Sequence, residues 1–250
     1  MSVPRIDGET SLVGLIGHPV SHSLSPQMHN ASFAALGLNY VYVPLDVPPE
    51  ELEAGVRGLR ALGFRGFNVT MPHKERVCAL VDRLDEAARI SGAVNTVAVE
   101  EDGSLLGMNT DGSGFLLACR EAGVEPSGRV ALVAGAGGAA AAVAVALLRA
   151  GLSELRIANR TPGRALGLRE RLGGLGGRVE VFPLSGLAEA AGGADILVNA
   201  TYLGMRAGDP LPFPEELLRP GVAVCDAVYR PGKSTALVRA ARRRGLAAVP

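Results

Sequence analysis

Short apolar runs alternate with helical stretches along the whole chain. The first part contains three predicted strands, SLVGLIG (Ser11–Gly17), YVYVPLDV and GFNVT, with predicted helices PQMHNASFAALG and PEELEAGVRGLRALG between them. Pro26 in the first turn and Gly37 after the last turn are typical of helix ends. Helical segments follow through Arg89, and AVNTVAVEEDGSLLGMNTD then predicts a hairpin that turns at Asp102–Gly103.

A second series of strands and helices begins after Asp111. The predicted strands are RVALVAG, ELRIANR, VEVF, ADILVNAT and VAVCDAVY. Repeated alternation of strand and helix predicts a mainly parallel sheet in each half. The fold class is therefore α/β with two α/β domains, residues 1–111 and 112–250. No linker composition marks the boundary, which follows from the order of the motifs.

Composition and charge exclude several classes of protein. The chain has 250 residues, 48% of them apolar, and equal numbers of acidic and basic residues, which argues against disorder, a nucleic-acid partner or a basic membrane surface. Cys78, Cys119 and Cys225 form no CxxC pair and read as buried thiols in a reducing compartment. The start has no secretion signal and the longest apolar run, Ala139–Leu148, is too short to cross a bilayer, so we expect a cytoplasmic protein.

Lysine is rare in this chain. Only two of the 25 basic residues are lysines, Lys74 in NVTMPHK and Lys233. A lysine can release its proton where its surroundings lower its pKa, whereas an arginine cannot. The pattern favours a proton-transfer role for Lys74 over the alternatives of chance or a helix-end charge.

The glycines in VALVAGAGGAA predict a dinucleotide site. They place Gly135, Gly137 and Gly138 at a strand-to-helix turn, with Ala140 at the third position of G-x-G-x-x-G/A. The free N–H groups at the start of the helix would receive the pyrophosphate. The alternative is a plain structural turn.

The next strand should distinguish NADP from NAD. NAD-binding chains carry an acidic residue there, but this chain has Asn159 near that position, followed by Arg160 and, one turn later, Arg164. Guanidinium groups can bind a 2′-phosphate that a carboxylate would repel, so NADP is favoured. The alternative is a pair of surface arginines.

Polar loops of the first half predict a site for a polyhydroxylated ligand. Ser23 and Ser25 precede a helix and could bind an anion, although Ser25 as an ordinary N-cap is the alternative. Asn68 and Thr70 face the same side of a strand that ends before Lys74. Asn95 and Asp111 lie in later loops. No metal site is predicted, because no metal-binding spacing relates the histidines His18, His22, His29 and His73.

In order and spacing, the motifs SHSLSP, NVTMPHK, GAVNT, NTDG, GAGGAA, NRT and NATYLGM resemble the shikimate dehydrogenases. The resemblance runs from about Val13 to the last residues. It implies an N-terminal substrate domain, a C-terminal Rossmann domain that binds NADP, and a cleft between them. It also implies NADPH-dependent reduction of 3-dehydroshikimate to shikimate, on the chorismate route to aromatic amino acids. Family members occur as monomers and as homodimers.

The resemblance also implies residue roles. Lys74 and Asp111 would form the catalytic pair. Ser23 and Ser25 would bind the substrate carboxylate, and Tyr229 would contact substrate. The hydroxyl-binding residues would be Asn68, Thr70, Asn95 and Asp111. The cofactor-binding residues would be Glu86, Gly135, Ala136, Gly137, Gly138, Ala139, Asn159, Arg160, Thr161, Arg164, Thr201 and Ala227.

Two features depart from the pattern of the family. Tyr202 stands where many members have proline, in the loop expected near the nicotinamide. The sequence ends at LAAVP, before the GLGMLVxQ stretch and the returning helix that the resemblance implies. From this we expect weaker substrate binding and a looser domain interface.

Three other functions compete with this interpretation. A quinate/shikimate dehydrogenase with broader cofactor use is disfavoured by Arg160 and by the intact Ser23 and Ser25. A non-catalytic NADP sensor would not need both Lys74 and Asp111. A reductase of the glutamyl-tRNA type would need a nucleophilic cysteine, which three scattered thiols supply poorly.

Overall fold

The computed structural model describes residues 6–230 and 232–250, which form two compact units. The first extends to Asn109 and the second begins at Thr110, just before the predicted boundary at 111/112. Each unit contains one six-stranded sheet. The α/β class, with mostly parallel strands in both sheets, is confirmed.

The first unit is built on a mixed sheet with the order β2-β1-β3-β5-β6-β4. Its elements are β1 (Ser11–Gly17), α1 (Ser25–Leu36), β2 (Tyr40–Asp46), α2 (Leu52–Ala61), β3 (Gly66–Val69), β4 (Arg83–Leu84), α3 (Glu86–Ser91), β5 (Thr96–Val99) and β6 (Leu105–Met108). β1 pairs in parallel with β2 and β3, whereas β5 runs antiparallel to β3 and β6. The predicted hairpin is therefore confirmed as β5–β6.

Within the first unit, local structure differs from the prediction in two places. The stretch predicted as one helix from Pro49 begins with a 3₁₀ turn, Pro49–Glu51, and becomes α-helical at Leu52. The segments through Arg89 contain the short strand β4, which the sequence did not predict. β4 has two residues and pairs with the edge of β6. A strand of that length cannot show an alternating pattern, so no sequence signal marks it.

Helix α2 shows how the first core is built. It buries Leu52, Val56 and Leu59, which lie on one face at helical spacing. They pack with Phe67 and Val69 of β3 in one buried cluster. Full burial of such side chains contributes about 1.5–3 kcal/mol each, so these contacts fix α2 against the sheet.

The second unit has a fully parallel sheet with the order β12-β11-β10-β7-β8-β9. Its elements are α4 (Asp111–Glu121), β7 (Val130–Ala134), α5 (Gly138–Arg149), β8 (Glu154–Asn159), α6 (Pro162–Arg171), β9 (Arg178–Pro183), α7 (Leu187–Ala191), β10 (Ile196–Asn199), β11 (Ala223–Asp226), α8 (Ala236–Arg243) and β12 (Ala248–Val249). Counted within this unit the order is 3-2-1-4-5-6, that of dinucleotide-binding sheets. In such sheets the ligand lies where the order reverses, at the carboxyl ends of β7 and β10.

Small residues bring α4 and α5 together within the second unit. A Cβ at Gly112 would lie 2.6 Å from the carbonyl oxygen of Ala142, so only glycine fits there. α5 is apolar nearly all round and is buried from Ala140 to Leu148. This explains an alanine-rich helix, because larger side chains would separate the two helices.

The cysteines are free thiols. Cys119 and Cys225 are buried, with Sγ atoms 4.0 Å apart, and Cys78 is half-buried. Across the described residues, no helix has both the length and the apolar character needed to cross a membrane. Within those same residues, no cluster of three or more metal-ligand side chains occurs.

Candidate active site

Three loops of the first unit meet at the carboxyl edge of its parallel strands. The His18 N–H after β1 donates to Met71 O over 3.0 Å, linking the first loop to the NVTMPHK loop. Val69 N donates to Asn95 O, and Val94 N donates to Lys74 O, each over 2.8 Å. Because the parallel strands β1 and β3 end at the edge where the antiparallel strand β5 begins, the loops that carry these predicted residues lie at one edge of the sheet.

The Lys74 backbone is held firmly within this region. Lys74 is half-buried in a turn, and the preceding His73 is fully buried. The His73 Nε2 atom lies 2.7 Å from Val47 O, so Nε2 carries the proton and donates. Nδ1 is buried without a hydrogen-bond partner. The His73 ring therefore anchors the turn that presents Lys74, a role that the sequence analysis missed.

The start of α1 tests the interpretation of Ser25 as an N-cap. α1 begins at Ser25, its N-cap position is Leu24, and no side chain caps the helix. Instead, Ser25 N donates to Ser23 Oγ over 3.2 Å. The interpretation of Ser25 as an ordinary N-cap is therefore wrong.

The glycine turn of the second unit fits a pyrophosphate. Gly135 has φ +121°, and a Cβ there would lie 2.6 Å from Ala200 O. Gly137 is extended at the N-cap of α5, no side chain caps this helix, and a Cβ there would meet no atom within 4 Å. Ala140 is buried. A helix N-terminus that has no side-chain cap and has open space beside Gly137 suits a bound anion.

The end of β8 carries the predicted selectivity residues. Asn159 is half-buried, and its Nδ2 donates to Thr161 O over 2.9 Å, which shapes the turn into α6. Arg160, Thr161 and Arg164 are exposed, and Arg164 lies in the first turn of α6. No carboxylate occupies the end of this strand.

A buried polar network positions the loops after β10 and β11. Asn199 and Asp226 are register partners, and Asn199 Nδ2 donates to Asp226 Oδ1 over 2.8 Å. Asn199 Oδ1 accepts from the Thr201 hydroxyl over 2.7 Å, and Asp226 Oδ2 accepts from the Thr235 hydroxyl over 2.6 Å. Burial raises the pKa of Asp226 more than its hydrogen bonds lower it. Asn199 and Asp226 were not among the predicted site residues, although both stand at strand ends.

The remaining predicted residues occupy separate elements. Glu86 begins α3 and is exposed in the first unit, while Asp111 begins α4 and is half-buried in the second. Ala227 follows β11 and is exposed, with its N–H donating to Asn199 O over 2.9 Å. Tyr202 and Tyr229 are both exposed, at 68% and 59%.

The strand order and the glycine turn define the second unit as a dinucleotide-binding domain of the Rossmann type, following a separate α/β unit. Two family models match this arrangement. Residues 15–97 match the shikimate dehydrogenase substrate binding domain, and residues 117–204 match shikimate / quinate 5-dehydrogenase. The shikimate dehydrogenase (NADP(+)) of Moorella thermoacetica is 50% identical over 245 residues, covering 96% of this chain and 82% of that relative. The chain therefore belongs to the shikimate dehydrogenase family.

Solved structures agree with this assignment. Shikimate 5-dehydrogenase from Listeria monocytogenes, in complex with shikimate and NAD, has a TM-score of 0.88 and 38% identity. That alignment covers 99% of this chain and 88% of the other. The enzyme from Thermus thermophilus, in complex with NADP(H) and shikimate, has a TM-score of 0.84 and 42% identity. That alignment covers 96% of this chain and 86% of the Thermus thermophilus enzyme.

Proposed function

We propose that this protein catalyses the reversible NADP-dependent reduction of 3-dehydroshikimate to shikimate, in the biosynthesis of chorismate and aromatic amino acids, with Lys74 and Asp111 as the catalytic pair. The observation that carries the proposal is the convergence of Lys74, Asn68 and Asn95 on one strand edge of the first unit. Val94 N donates to Lys74 O over 2.8 Å, and Asn68 Nδ2 donates to Asn95 O over 3.3 Å.

Substrate recognition uses serine hydroxyls for the carboxylate and a mixed set of polar side chains for the ring hydroxyls. Ser23 and Ser25 bind the carboxylate, and Tyr229 contacts the substrate. The ring hydroxyls bind to the polar groups of Asn68, Thr70, Asn95 and Asp111. All of these except Tyr229 are half-buried, which suits a ligand that replaces water with a few directed hydrogen bonds.

Proton transfer is the task of Lys74. In the reducing direction negative charge grows on the carbonyl oxygen, and the Lys74 ammonium stabilises it and donates a proton from Nζ. In the reverse direction the neutral amine accepts that proton from the hydroxyl. General acid–base catalysis of this kind contributes roughly 10²–10⁴-fold. Asp111 orients the amine and a substrate hydroxyl through its carboxylate oxygens.

The described residues fit NADP, which supplies the hydride when bound. The turn from Gly135 to Ala139 binds the pyrophosphate through backbone N–H groups. Asn159, Arg160, Thr161 and Arg164 bind the 2′-phosphate, and Glu86, Thr201 and Ala227 line the rest of the cofactor site. The open space at Gly137 and the exposed guanidinium groups after β8 support this assignment.

The partners are small molecules, and we propose that the protein works in the cytoplasm as a monomer or homodimer. Buried Cys119 and Cys225 support a reducing compartment, because their free thiols lie 4.0 Å apart and an oxidising environment favours a disulfide.

The test is turnover of shikimate with NADP⁺, followed by the absorbance of the reduced nicotinamide. We expect turnover with NADP⁺ and a higher kcat/KM for NADP⁺ than for NAD⁺. Quinate serves as the competing substrate, because one family model also covers quinate dehydrogenases. A higher kcat/KM for quinate would favour that alternative. NADP binding without turnover of either substrate would indicate a sensor.

A further inference from the structure

Tyr42, in the middle of β2, joins α1, β2 and β3 through its backbone, its ring and its hydroxyl. Its N–H donates to Asn30 Oδ1 over 2.8 Å, and its carbonyl accepts from Asn30 Nδ2 over 2.9 Å. Its ring stacks on His29, with ring centroids 4.4 Å apart. α1 has no buried residue, so these contacts attach to the sheet the helix that begins at Ser25.

The Tyr42 side chain crosses β1 to reach β3. It is buried and packs with Leu15 and Val20, and its hydroxyl donates to Asn68 Oδ1 over 2.7 Å. Burial raises the pKa of Tyr42 to about 12, against a lowering by the hydrogen bond with Ser25. The hydroxyl therefore keeps its proton, and acts as a donor, throughout the neutral range.

The hydrogen-bond partners of Asn68 fix the orientation of its side-chain amide. Nδ2 donates to Asn95 O over 3.3 Å and to Thr96 Oγ1 over 3.0 Å. Since a carbonyl oxygen only accepts, the nitrogen of Asn68 must face Asn95 and the oxygen must face Tyr42. Both N–H groups are thus committed. The capacity that remains on this amide is the second lone pair of Oδ1.

We propose that Tyr42 is a positioning residue for substrate, which fixes Asn68 so that its side chain offers an acceptor, and no donor, to the bound ring. A ligand hydroxyl donates to Asn68 Oδ1, whereas a keto or ether oxygen at the same ring position is rejected because it brings no proton. The same hydrogen bonds connect Asn68 to Ser25, which binds the carboxylate. This inference rests on the proposed function, since it assigns the ligand of that same site.

The test variant is Tyr42→Phe, which keeps the ring stack on His29 and both backbone bonds to Asn30. We expect the KM for shikimate to rise about 3- to 10-fold, the size of one lost hydrogen bond, with kcat changed less than about 2-fold. The KM for NADP⁺ should stay the same. In an Asn68→Ala background, Tyr42→Phe should have no further effect on the KM for shikimate, because Tyr42 acts through Asn68.

Tyr40→Phe is the matched control. Tyr40 lies on the same face of β2 and packs its ring against Phe33, with centroids 5.4 Å apart, so its loss of a hydroxyl should leave both KM values unchanged. An unchanged KM for shikimate in Tyr42→Phe, or the same rise with Asn68 removed, overturns the inference. A parallel rise in both KM values with a lowered Tm would indicate a purely structural role and overturns it as well.

Thr96→Val gives a second route if Tyr42→Phe fails to fold, because it breaks the same line of hydrogen bonds at its other end. It removes one of the two acceptors of Asn68 Nδ2, and the KM for shikimate should rise while the KM for NADP⁺ does not. No rise overturns the inference. Absence of shikimate turnover in the unsubstituted protein would overturn the proposed function and this inference together. If the unsubstituted protein turns over shikimate and the variants show an unchanged KM for shikimate, this inference alone is overturned.

Discussion

The Asn199 side-chain amide donates to Asp226 Oδ1 over 2.8 Å and joins the carboxyl ends of β10 and β11. Asp226 also accepts from Val228 N over 3.1 Å and from the Thr235 hydroxyl, which caps α8 by accepting from Val238 N. One carboxylate thus organises two loops and a helix start. Three donors compensate a buried negative charge that would otherwise be costly.

Asp226 should make stability depend on pH. Burial raises its pKa in the folded protein above the ordinary 3.8, so between those two values the folded state retains a proton that the unfolded state releases. The contribution of Asp226 to stability therefore falls as pH rises through this window and is constant above it. Each pKa unit of difference corresponds to about 1.4 kcal/mol, or about 3–6 °C in Tm for a chain of this size.

The variant Asp226→Asn should remove that dependence, because an amide does not titrate. As pH rises through the acidic range, the Tm of the unsubstituted protein should fall relative to the Tm of the variant. Glu121→Gln, at an exposed position at the end of α4, is a control of the same carboxylate-to-amide change. Parallel Tm curves for the unsubstituted protein and Asp226→Asn would show that Asp226 has an ordinary pKa.

Alanine substitution should destabilise the protein at Gly135 of the cofactor turn but hardly change its stability at Gly137. Gly135→Ala places a methyl group 2.6 Å from Ala200 O and forces φ +121° on a residue with a side chain. Strain alone costs about 1–3 kcal/mol, and the clash adds to it, so Tm should drop. Chemical denaturation of the two variants beside the unsubstituted protein measures the difference.

Gly137→Ala is the matched variant for comparison, because the φ of −91° at Gly137 suits alanine and the added methyl group would meet open space. Stability should change by less than about 1 kcal/mol. The methyl group would occupy space expected for the pyrophosphate, so the KM for NADP⁺ should rise about 10-fold or more, or about 1.4 kcal/mol. Normal cofactor binding by this variant would contradict the placement of the phosphate.

Elements with a strong local signal were predictable, and contacts across the sheets were not. The glycine turn before α5 and the β5–β6 hairpin follow from residues that are neighbours in sequence. The Tyr42–Asn68 contact depends instead on strand order, because β1 lies between β2 and β3. The register of β10 with β11 similarly brings Asn199 to Asp226, and no spacing in the chain indicates it.

The arginines after β8 should decide between NADP and NAD. Arg160→Ala removes a guanidinium group from the proposed 2′-phosphate site, and loss of charge-assisted hydrogen bonds of roughly 1.5–3 kcal/mol should raise the KM for NADP⁺ about 10- to 100-fold. The KM for NAD⁺ should remain unchanged, since NAD lacks that phosphate. Arg169→Ala, on exposed surface later in α6, is the control. Equal effects on both cofactors would point to a general loss of structure.

Lys74 provides the most direct test of the chemistry. Lys74→Ala should lower kcat about 10²–10⁴-fold, the usual contribution of a positioned acid–base group. Lys74→Arg keeps the positive charge, but arginine does not give up its proton at ordinary pH, so it should lower kcat within the same range. The KM for NADP⁺ should hardly change in either variant.

The other lysine supplies the control for this test. Lys233 is exposed, and Lys233→Arg should leave kcat unchanged. Added small primary amines should restore part of the activity of Lys74→Ala, because they can occupy the space left by the side chain and carry the proton. Near-normal kcat in Lys74→Arg would mean that the side chain supplies only charge, since arginine retains its proton at every pH used in such assays.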